Sequence, residues 1–255
     1  MIELITENWS AVLPFIAIGF AAQMVDGALG MAFGVISNTL LVSFMGVPPA
    51  RASAGVHLVE MFTTAASGIS HVIHRNIDWK LFARLVIPGI IGGCLGAYVL
   101  TNIHADAARP FVMAYLTCIG LYLLWRAWDL PRPHKRPKVI APLGLVGGFL
   151  DAAGGGGWGP VVTSNLLVQG ATPRTTIGTV NLSEFFLTTS VSLIFIWQLG
   201  FAAFTTVTVG LLLGGLLAAP FGAYLTKRVS ARTLMTMVGV VLTLTSLYSV
   251  YKALS

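Results

Sequence analysis

Residues 151–165 of this chain read DAAGGGGWGPVVTSN, and this stretch restricts the fold more than any other. Its four consecutive glycines interrupt a long apolar region. A glycine costs a helix about 1 kcal/mol relative to alanine, and an interior proline costs about 3 kcal/mol. We therefore expect a helix that starts near Ile140 to break at the glycines. A second helix is expected to start near Trp158 or Gly159, with Pro160 in its first turn.

The composition places this break inside a membrane. The 255 residues are 56% hydrophobic and only 9% charged, whereas soluble domains are about 25% charged. A large soluble helical enzyme would need charged helix faces, which this sequence lacks. Irregular backbone at membrane depth survives only where protein buries it or where it lines a cavity. Because the free N–H groups of a helix start attract anions, the glycine stretch predicts a binding site inside the bilayer.

Ten apolar segments follow one another along the chain. They are residues 10–28, 31–45, 54–74, 81–101 and 109–128 in the first half, and 140–153, 158–169, 176–198, 202–226 and 232–253 in the second. A helix of 14 residues, such as 140–153, spans only about 21 Å, which is less than the roughly 30 Å of the bilayer core. We therefore interpret the first two segments of each half as a short re-entrant hairpin. The other three segments of each half are predicted to be full transmembrane helices.

The two halves of the chain resemble each other in sequence. Residues 23–34 (QMVDGALGMAFG) align with residues 148–159 (GFLDAAGGGGWG). Further along, residues 56–62 (VHLVEMF) align with residues 180–186 (VNLSEFF). Internal duplication in a membrane chain is typical of transporters that are built from structural repeats.

The repeat and the basic residues together predict the domains and the orientation. We predict a first membrane repeat over residues 1–129, a basic cytoplasmic linker over 130–139 and a second repeat over 140–255. The net charge of +6 is compatible with nucleic-acid binding. However, the basic residues concentrate in the loops between apolar segments, as the positive-inside rule expects of a membrane protein. This arrangement puts both termini outside. Each half then crosses three times, so the predicted fold is an all-α polytopic membrane protein with two inverted repeats.

Four of the nine acidic residues lie within apolar segments, as the repeat-related pairs Asp26 with Asp151 and Glu60 with Glu184. A carboxylate inside a membrane helix costs about 2.5–3.5 kcal/mol, so a function is the default hypothesis. Asp26 and Asp151 directly precede the breaks, where they would either cap the second helices or handle substrate or protons. For Glu60 and Glu184 the alternatives are structural pairing and proton coupling.

Neutral polar residues around the two breaks are the candidate ligands of an anion. Because no basic residue lies at the predicted midplane, helix-start N–H groups and neutral donors would have to hold the charge. His57 and Asn181 each lie three residues before a glutamate, which places them on the same helix face as that glutamate. The candidate substrate-binding residues are Gly30, Asn38, His57, Gly155, Gly156, Gly157, Trp158, Asn165 and Asn181. The alternative for the polar ones is ordinary interhelical hydrogen bonding.

The sequence predicts neither a metal site nor a cofactor. Cys94 and Cys118 lie in apolar segments and lack the spacing of metal ligands. A serine nucleophile elbow, a zinc-protease motif and a phosphate-binding loop are also absent from the sequence. We therefore do not expect an enzyme.

The glycine stretch resembles a signature of the TauE/SafE family of sulfite exporters. The similarity rests on residues 151–160 (DAAGGGGWGP), 165–167 (NLL) and 170–173 (GATP), and residues 26–34 (DGALGMAFG) resemble a weaker first-half copy. The resemblance implies an inner-membrane permease for sulfur-containing anions such as sulfite, sulfoacetate or other organosulfonates. It also implies that export is coupled to protons in some members.

The repeat and the resemblance together predict a secondary transporter. We expect it to export a small sulfur-containing anion, coupled to protons, by alternating access around a midplane site. An anion channel of the same architecture is the alternative, which saturable transport would exclude. The expected partners are the anion, protons and the lipid bilayer of the inner membrane, without nucleic acid, while a homodimer is left open.

Overall fold

The computed structural model describes residues 9–29, 31–128, 137–201, 206–226 and 231–254. These residues form helices, without a strand among them, so the predicted all-α class is confirmed. The α-helices are α1 (Trp9–Leu29), α2 (Phe33–Ser43), α3 (Pro49–Ile73), α4 (Trp79–Asn102), α5 (Ala105–Trp128), α6 (Ala141–Gly154), α7 (Ser164–Val168), α8 (Pro173–Leu199), α9 (Thr206–Thr226) and α10 (Ala231–Leu254). A π-helical segment over Trp158–Thr163 leads directly into α7.

Each apolar segment of the sequence coincides with a helix over the residues that the structure describes. Within those residues, three helices are long and apolar enough to cross a membrane: Trp79–Asn102, Ala105–Trp128 and Thr175–Leu199. Helices of this length reach about 36 Å, which exceeds the bilayer core. The chain is therefore an integral membrane protein of the helical type.

The helix break at the glycines is found where the sequence predicts it. α6 ends at Gly154, and Gly155, Gly156 and Gly157 have φ angles of 79°, 127° and 154°. Glycine adopts such positive values without the steric penalty that a Cβ atom imposes. The chain becomes helical again at Trp158. Three consecutive glycines thus allow the backbone to turn where an ordinary helix would have continued.

The second hairpin, formed by α6, the π-helical segment and α7, returns to the end from which it starts. The Gln169 side chain, just after α7, accepts hydrogen bonds of 2.9 Å from the N–H groups of Lys138 and Val139. It also donates one of 3.2 Å to the Val139 carbonyl. Because residues 138 and 139 immediately precede α6, the two limbs begin and end side by side. The 14 residues of α6 reach only about 21 Å.

The first hairpin, formed by α1 and α2, has a longer first limb than the second hairpin has. α1 has 21 residues, which correspond to about 32 Å, and its bounds match the predicted segment 10–28 to within one residue at each end. The physical reason for the extra length is the composition of this half, which lacks a run of glycines. The helix therefore continues through Gly27 and ends only at Leu29.

Helices of the two halves pack against each other in matched pairs. α6 packs along α4, and α1 packs along α9, while α3 pairs with α8 and α5 with α10. Glycines allow this close approach: a side chain on Gly92 would overlap the Leu145 carbonyl, and one on Gly214 would overlap the Ile16 carbonyl. As a result, the first limb of each hairpin lies against a long helix of the opposite half.

Candidate functional site

The two helix breaks lie in direct contact with each other. A Cβ atom added to Gly34, in the first turn of α2, would lie 3.0 Å from the Gly156 Cα atom. A Cβ atom added to Gly159 would lie 2.6 Å from the Met31 Cβ atom. These spacings leave room for glycine and little else. The backbones of the two hairpins are thus closed against each other at the point where the sequence predicts an anion.

Each hairpin has a carboxylate that caps the start of its own second helix. The Asp151 Oδ1 atom accepts a hydrogen bond of 2.8 Å from the Trp158 N–H group. The Asp26 Oδ1 atom accepts one of 3.3 Å from the Phe33 N–H group. The separation is seven residues in both cases. Of the two roles that the sequence suggests for these aspartates, capping and the handling of substrate or protons, the geometry shows the capping contact. An anion at either helix start would compete with a carboxylate for the same N–H group.

His57 reaches across from α3 to the second hairpin. Its Nε2 atom lies 3.0 Å from the Asp151 Oδ2 atom, and its Nδ1 atom lies 2.8 Å from the Ser53 carbonyl oxygen. Ser53 contacts the same hairpin, because its hydroxyl donates to the Ala152 carbonyl at 2.8 Å. His57 is fully buried and Asp151 is 2% exposed. The two side chains therefore interact with little screening by water.

Glu60, one turn further along α3, contacts the first hairpin. Its side chain accepts a hydrogen bond from the Gly34 N–H group and also lies within electrostatic range of Asp26, Asp151 and Glu184. The four acidic residues singled out in the sequence are thus brought into one cluster. Like charges repel strongly at short range in a low-dielectric interior. Within the described residues no group of three or more His, Cys, Asp or Glu side chains is placed to hold a metal ion.

Asn38 lies at the contact between the two breaks. Its Nδ2 atom donates to the Gly34 carbonyl at 3.3 Å. Its Oδ1 atom is buried, faces the backbone at Gly155, and has no hydrogen-bond partner within the part of the chain that the structure describes. Buried polar atoms are normally paired, so an unpaired one at this position indicates a place where a further group can bind.

Trp158 fills the space under the second break with its side chain. The indole is fully buried, and its Nε1–H group donates to the Val180 carbonyl at 3.2 Å. A Cβ atom on Gly89 of α4 would lie 2.6 Å from the indole Cη2 atom. The backbone N–H group of Trp158 faces the break, whereas its side chain anchors the hairpin between α4 and α8.

The remaining candidate residues make no described hydrogen bond to the backbone at the breaks. Asn165 and Asn181 are half-buried, and each donates to the carbonyl four residues earlier in its own helix, at 2.7 Å to Val161 and at 3.1 Å to Ile177. The contacts of these two amides are therefore local ones. Gly30 lies outside the described residues.

Tyr115 of α5 contacts the second break, although the sequence analysis does not single it out. Its hydroxyl donates to the Gly156 carbonyl at 3.1 Å. Its ring occupies the space that side chains on Gly154 and Gly157 would need. A tyrosine within an apolar segment is the sequence signal, and it is ambiguous because buried tyrosines commonly make structural hydrogen bonds and Tyr122 lies in the same segment.

A groove between α4, α5 and α6 leads to the same break from one side. Its volume is about 210 Å³, and Tyr115 and Gly154 form part of its wall. The other lining residues are apolar: Val99, Leu100, Ile103, Ala108, Phe111, Val112, Phe149, Leu150 and Ala153. An anion needs donors, so the groove does not replace the contact between the breaks as the candidate site.

A helical membrane protein in which two interrupted helices meet, with a carboxylate at each helix start, has the features of a membrane transporter. The chain belongs to the TauE/SafE family: the family "Sulfite exporter TauE/SafE" matches residues 15–249. The prediction from the glycine–tryptophan–proline signature is thereby confirmed.

Individual relatives have names of the same kind. The chain is 42% identical over 234 residues to "Probable membrane transporter protein YtnM" of Bacillus subtilis (strain 168), covering 88% of this chain and 78% of that protein. It is 28% identical over 114 residues to "Probable membrane transporter protein YunE" of the same organism, covering 43% of this chain and 41% of that protein. These names describe transporters rather than enzymes. No solved structure is significantly similar to the chain.

Proposed function

We propose that this protein is a secondary transporter that exports a small sulfur-containing anion, such as sulfite, sulfoacetate or a related organosulfonate. The observation that carries the proposal is the contact between the two breaks, where the starts of two helices and the Asn38 side chain converge. Helix starts favour anions through their partial positive charge and free N–H groups. A sulfonate or sulfite has several acceptor oxygens that suit such a group of donors.

The anion is proposed to bind between the breaks at Phe33 and Trp158. At each start, the N–H group now held by Asp26 or Asp151 would turn to an anion oxygen. The neutral donor of Asn38 would complete the site, with Asn165 and Asn181 further out, while His57 acts through Asp151. Each hydrogen bond to a charged group contributes about 1.5–3 kcal/mol. Several such bonds suffice for micromolar affinity, which corresponds to about 8 kcal/mol.

Transport requires the closed contact to open. Gly34 and Gly156 leave no gap for an anion in the present conformation, so the hairpins must separate before the anion binds. Separation towards one face at a time is alternating access. A closed contact of this kind favours a transporter over a permanently open channel, and it also prevents leakage of protons.

Two inverted repeats, over residues 1–129 and 140–255, are part of the proposal. The matched helix pairs support them, because α6 lies along α4 of the first half and α1 lies along α9 of the second. The return of the second hairpin to its own starting end supports an odd number of crossings in each half. We place the linker at 130–139 in the cytoplasm and both termini outside the inner membrane. Dimerisation is left to a direct measurement of mass in detergent.

Transport in proteoliposomes tests the function directly. Vesicles containing the purified protein are loaded with sulfite, sulfoacetate or another organosulfonate, and efflux is followed at increasing anion concentration. We expect saturable efflux, exchange of labelled for unlabelled anion, and a dependence on the proton gradient. Flux that rises linearly without saturation would instead indicate a channel, and chemical conversion of the anion would indicate an enzyme.

A further inference from the structure

The hydrogen bonds of His57 determine how many protons it shares with Asp151. The Nδ1 atom lies 2.8 Å from the Ser53 carbonyl oxygen. A carbonyl oxygen can only accept a hydrogen bond, so the Nδ1 atom must be the donor in this contact. The Ser53 hydroxyl, 3.3 Å from the same Nδ1 atom, donates its own hydrogen to the Ala152 carbonyl. These contacts together put one ring proton on Nδ1 and leave Nε2 to face Asp151.

The contact between Nε2 and the Asp151 Oδ2 atom then needs one further proton. The two atoms are 3.0 Å apart, which is hydrogen-bond distance. Without a proton between them, a nitrogen lone pair would face a carboxylate oxygen and the contact would be repulsive. With one proton, the pair is either an imidazolium with a carboxylate or a neutral imidazole with a carboxylic acid. The observed geometry is that of a pair holding one shared proton.

The same carboxylate is bound to the helix start at the break. Asp151 holds the Trp158 N–H group with Oδ1 while Oδ2 faces His57. A charged carboxylate accepts a stronger hydrogen bond than a neutral carboxylic acid does. When the shared proton moves from Nε2 to Oδ2, the cap on the Trp158 N–H group weakens, and that group becomes available to an anion. The proton stays within the pair in this step, and its charge offsets that of the anion.

We propose that His57 and Asp151 carry, as a pair, the proton that accompanies the anion, and that Ser53 positions the pair. This inference rests on the proposed transport function and names the group that couples it to protons. The coupling follows from competition, because the anion and the ionised carboxylate need the same N–H group.

The first hairpin has the matching cap without the matching histidine. Asp26 caps the Phe33 N–H group, but the position corresponding to His57 in the repeat is Asn181, whose amide bonds within its own helix. An asparagine does not exchange a proton near neutral pH. The chain thus contains a natural contrast between a cap that has a histidine partner and a cap that has none.

Other titratable groups surround the pair, and the experiment must distinguish their protons from the proton of the pair. Asp151 interacts electrostatically with Glu60 of α3, with Glu184 of α8 and with Tyr115 of α5. Asp26 of α1 interacts with both glutamates. On the remaining side, Phe195 of α8 lies with its ring centre 6.0 Å from that of His57. The test therefore includes Glu60→Gln, so that a proton on the glutamate can be distinguished from a proton on the pair.

The experiment measures sulfonate affinity across a pH range by calorimetry on the intact protein in detergent. A sulfonate stays ionised throughout, so any proton taken up belongs to the protein. For the natural chain we expect affinity to be constant in acid and to fall about tenfold per pH unit once the pair has lost its proton, as linkage of one proton requires.

Two variants of the pair test this dependence of affinity on pH. Asp151→Asn keeps an acceptor for the Trp158 N–H group and a donor for Nε2, but it cannot take a proton, so we expect its affinity to be independent of pH and its anion exchange in vesicles to lose the response to a proton gradient. His57→Gln keeps a donor towards Asp151 but cannot share a proton with it, so we expect the fall in affinity to begin at a different pH from that in the natural chain. Asp26→Asn neutralises the matched cap of the first hairpin. The dependence of affinity on pH should persist in this variant, whatever the change in the affinity itself.

If the fall of sulfonate affinity with pH is unchanged in both pair variants, the inference is overturned. If it disappears only in Glu60→Gln, the proton belongs to the glutamate instead. If the natural chain binds no sulfur anion at any pH, the proposed function fails rather than the assignment of the proton. Folding of each variant is checked by size-exclusion chromatography. A natural chain that binds and transports the sulfonate with a flat pH profile would also overturn the inference.

Discussion

At the residue scale, Asn38 is the side chain best placed to bind an anion. It lies between the two hairpins, and its amide nitrogen carries two donor hydrogens, of which the described residues use one, for the Gly34 carbonyl. Asparagine presents both a donor and an acceptor, so it can rotate to suit an anion without burying a charge. The local hydrogen bonds of Asn165 and Asn181 make them weaker candidates for direct contact.

The first prediction concerns Asn38. In Asn38→Ala we expect sulfonate affinity measured by calorimetry to fall roughly ten- to hundredfold, because a lost hydrogen bond to a buried charged group costs about 1–3 kcal/mol. Asn102→Ala is the matched control, since Asn102 is exposed at the end of α4 and donates to the Tyr98 carbonyl of its own helix. Equal affinity in the two variants would move the site away from the contact between the breaks.

A second prediction concerns Gly156. In Gly156→Ala the new Cβ atom would overlap the backbone at Gly34 and Val35, and φ is 127°. We expect a lower melting temperature in detergent and loss of transport. Gly46→Ala is the control, because φ there is 66° and no atom lies within 4 Å of the added Cβ. The control should cost only the roughly 1–2 kcal/mol of a left-handed conformation. Similar melting temperatures for both variants would contradict the close approach of the hairpins.

At the element scale, the two hairpins work as a pair that α3 holds together. His57 and Ser53 bind the second hairpin, and Glu60 binds the first. Since all three side chains come from one helix, a movement of α3 changes both contacts at once. A single helix is therefore able to couple the two breaks during transport.

Cross-linking of the hairpins tests whether they separate. In a background without Cys94 and Cys118, we replace Met31 and Gly159 by cysteine, where the Cβ atom of residue 159 would lie 2.6 Å from that of Met31. A shift of about 1 Å reaches the Cβ separation of a disulfide. We expect oxidation to stop sulfonate exchange and reduction to restore it. Each single-cysteine variant is the control, and undiminished exchange in the oxidised double variant would exclude separation at this point.

At the scale of the whole molecule, each half of the chain supports the hairpin of the other. The first limb of the second hairpin lies along α4, and that of the first hairpin lies along α9. Close glycine contacts make both pairs rigid units. Two units whose hairpins meet at the breaks can rock against each other, which is how repeat transporters alternate access.

The orientation of the whole molecule gives the last prediction. A single cysteine at position 135, in the basic linker, should react with a membrane-impermeant thiol reagent only from the cytoplasmic face, in a background without Cys94 and Cys118. A single cysteine at position 104, in the loop between α4 and α5, should react only from the outside and serves as the control. Reversed labelling of the two positions would invert the predicted topology.

The sequence by itself determined the features that depend on local chemistry. Four glycines followed by Trp158 and Pro160 break a helix wherever they occur, so both the position of the break and the start of the next helix follow from backbone propensity. Long apolar runs likewise fix the helices, and the motif at residues 151–160 identifies the family. The bounds of α1 also follow from the sequence to within one residue at each end, because its separated glycines weaken a helix without ending it.

Only the tertiary structure decided which residues meet. His57 and Asp151 are 94 positions apart, and the repeat alone would have predicted an equivalent contact between Asn181 and Asp26, whereas Asn181 bonds to Ile177. Tyr115 reaches Gly156 over 41 positions. Periodicity places such residues on helix faces, but the angle and depth at which helices pack determine which faces touch. That packing closed the two breaks on each other and paired one of the two aspartates with a histidine.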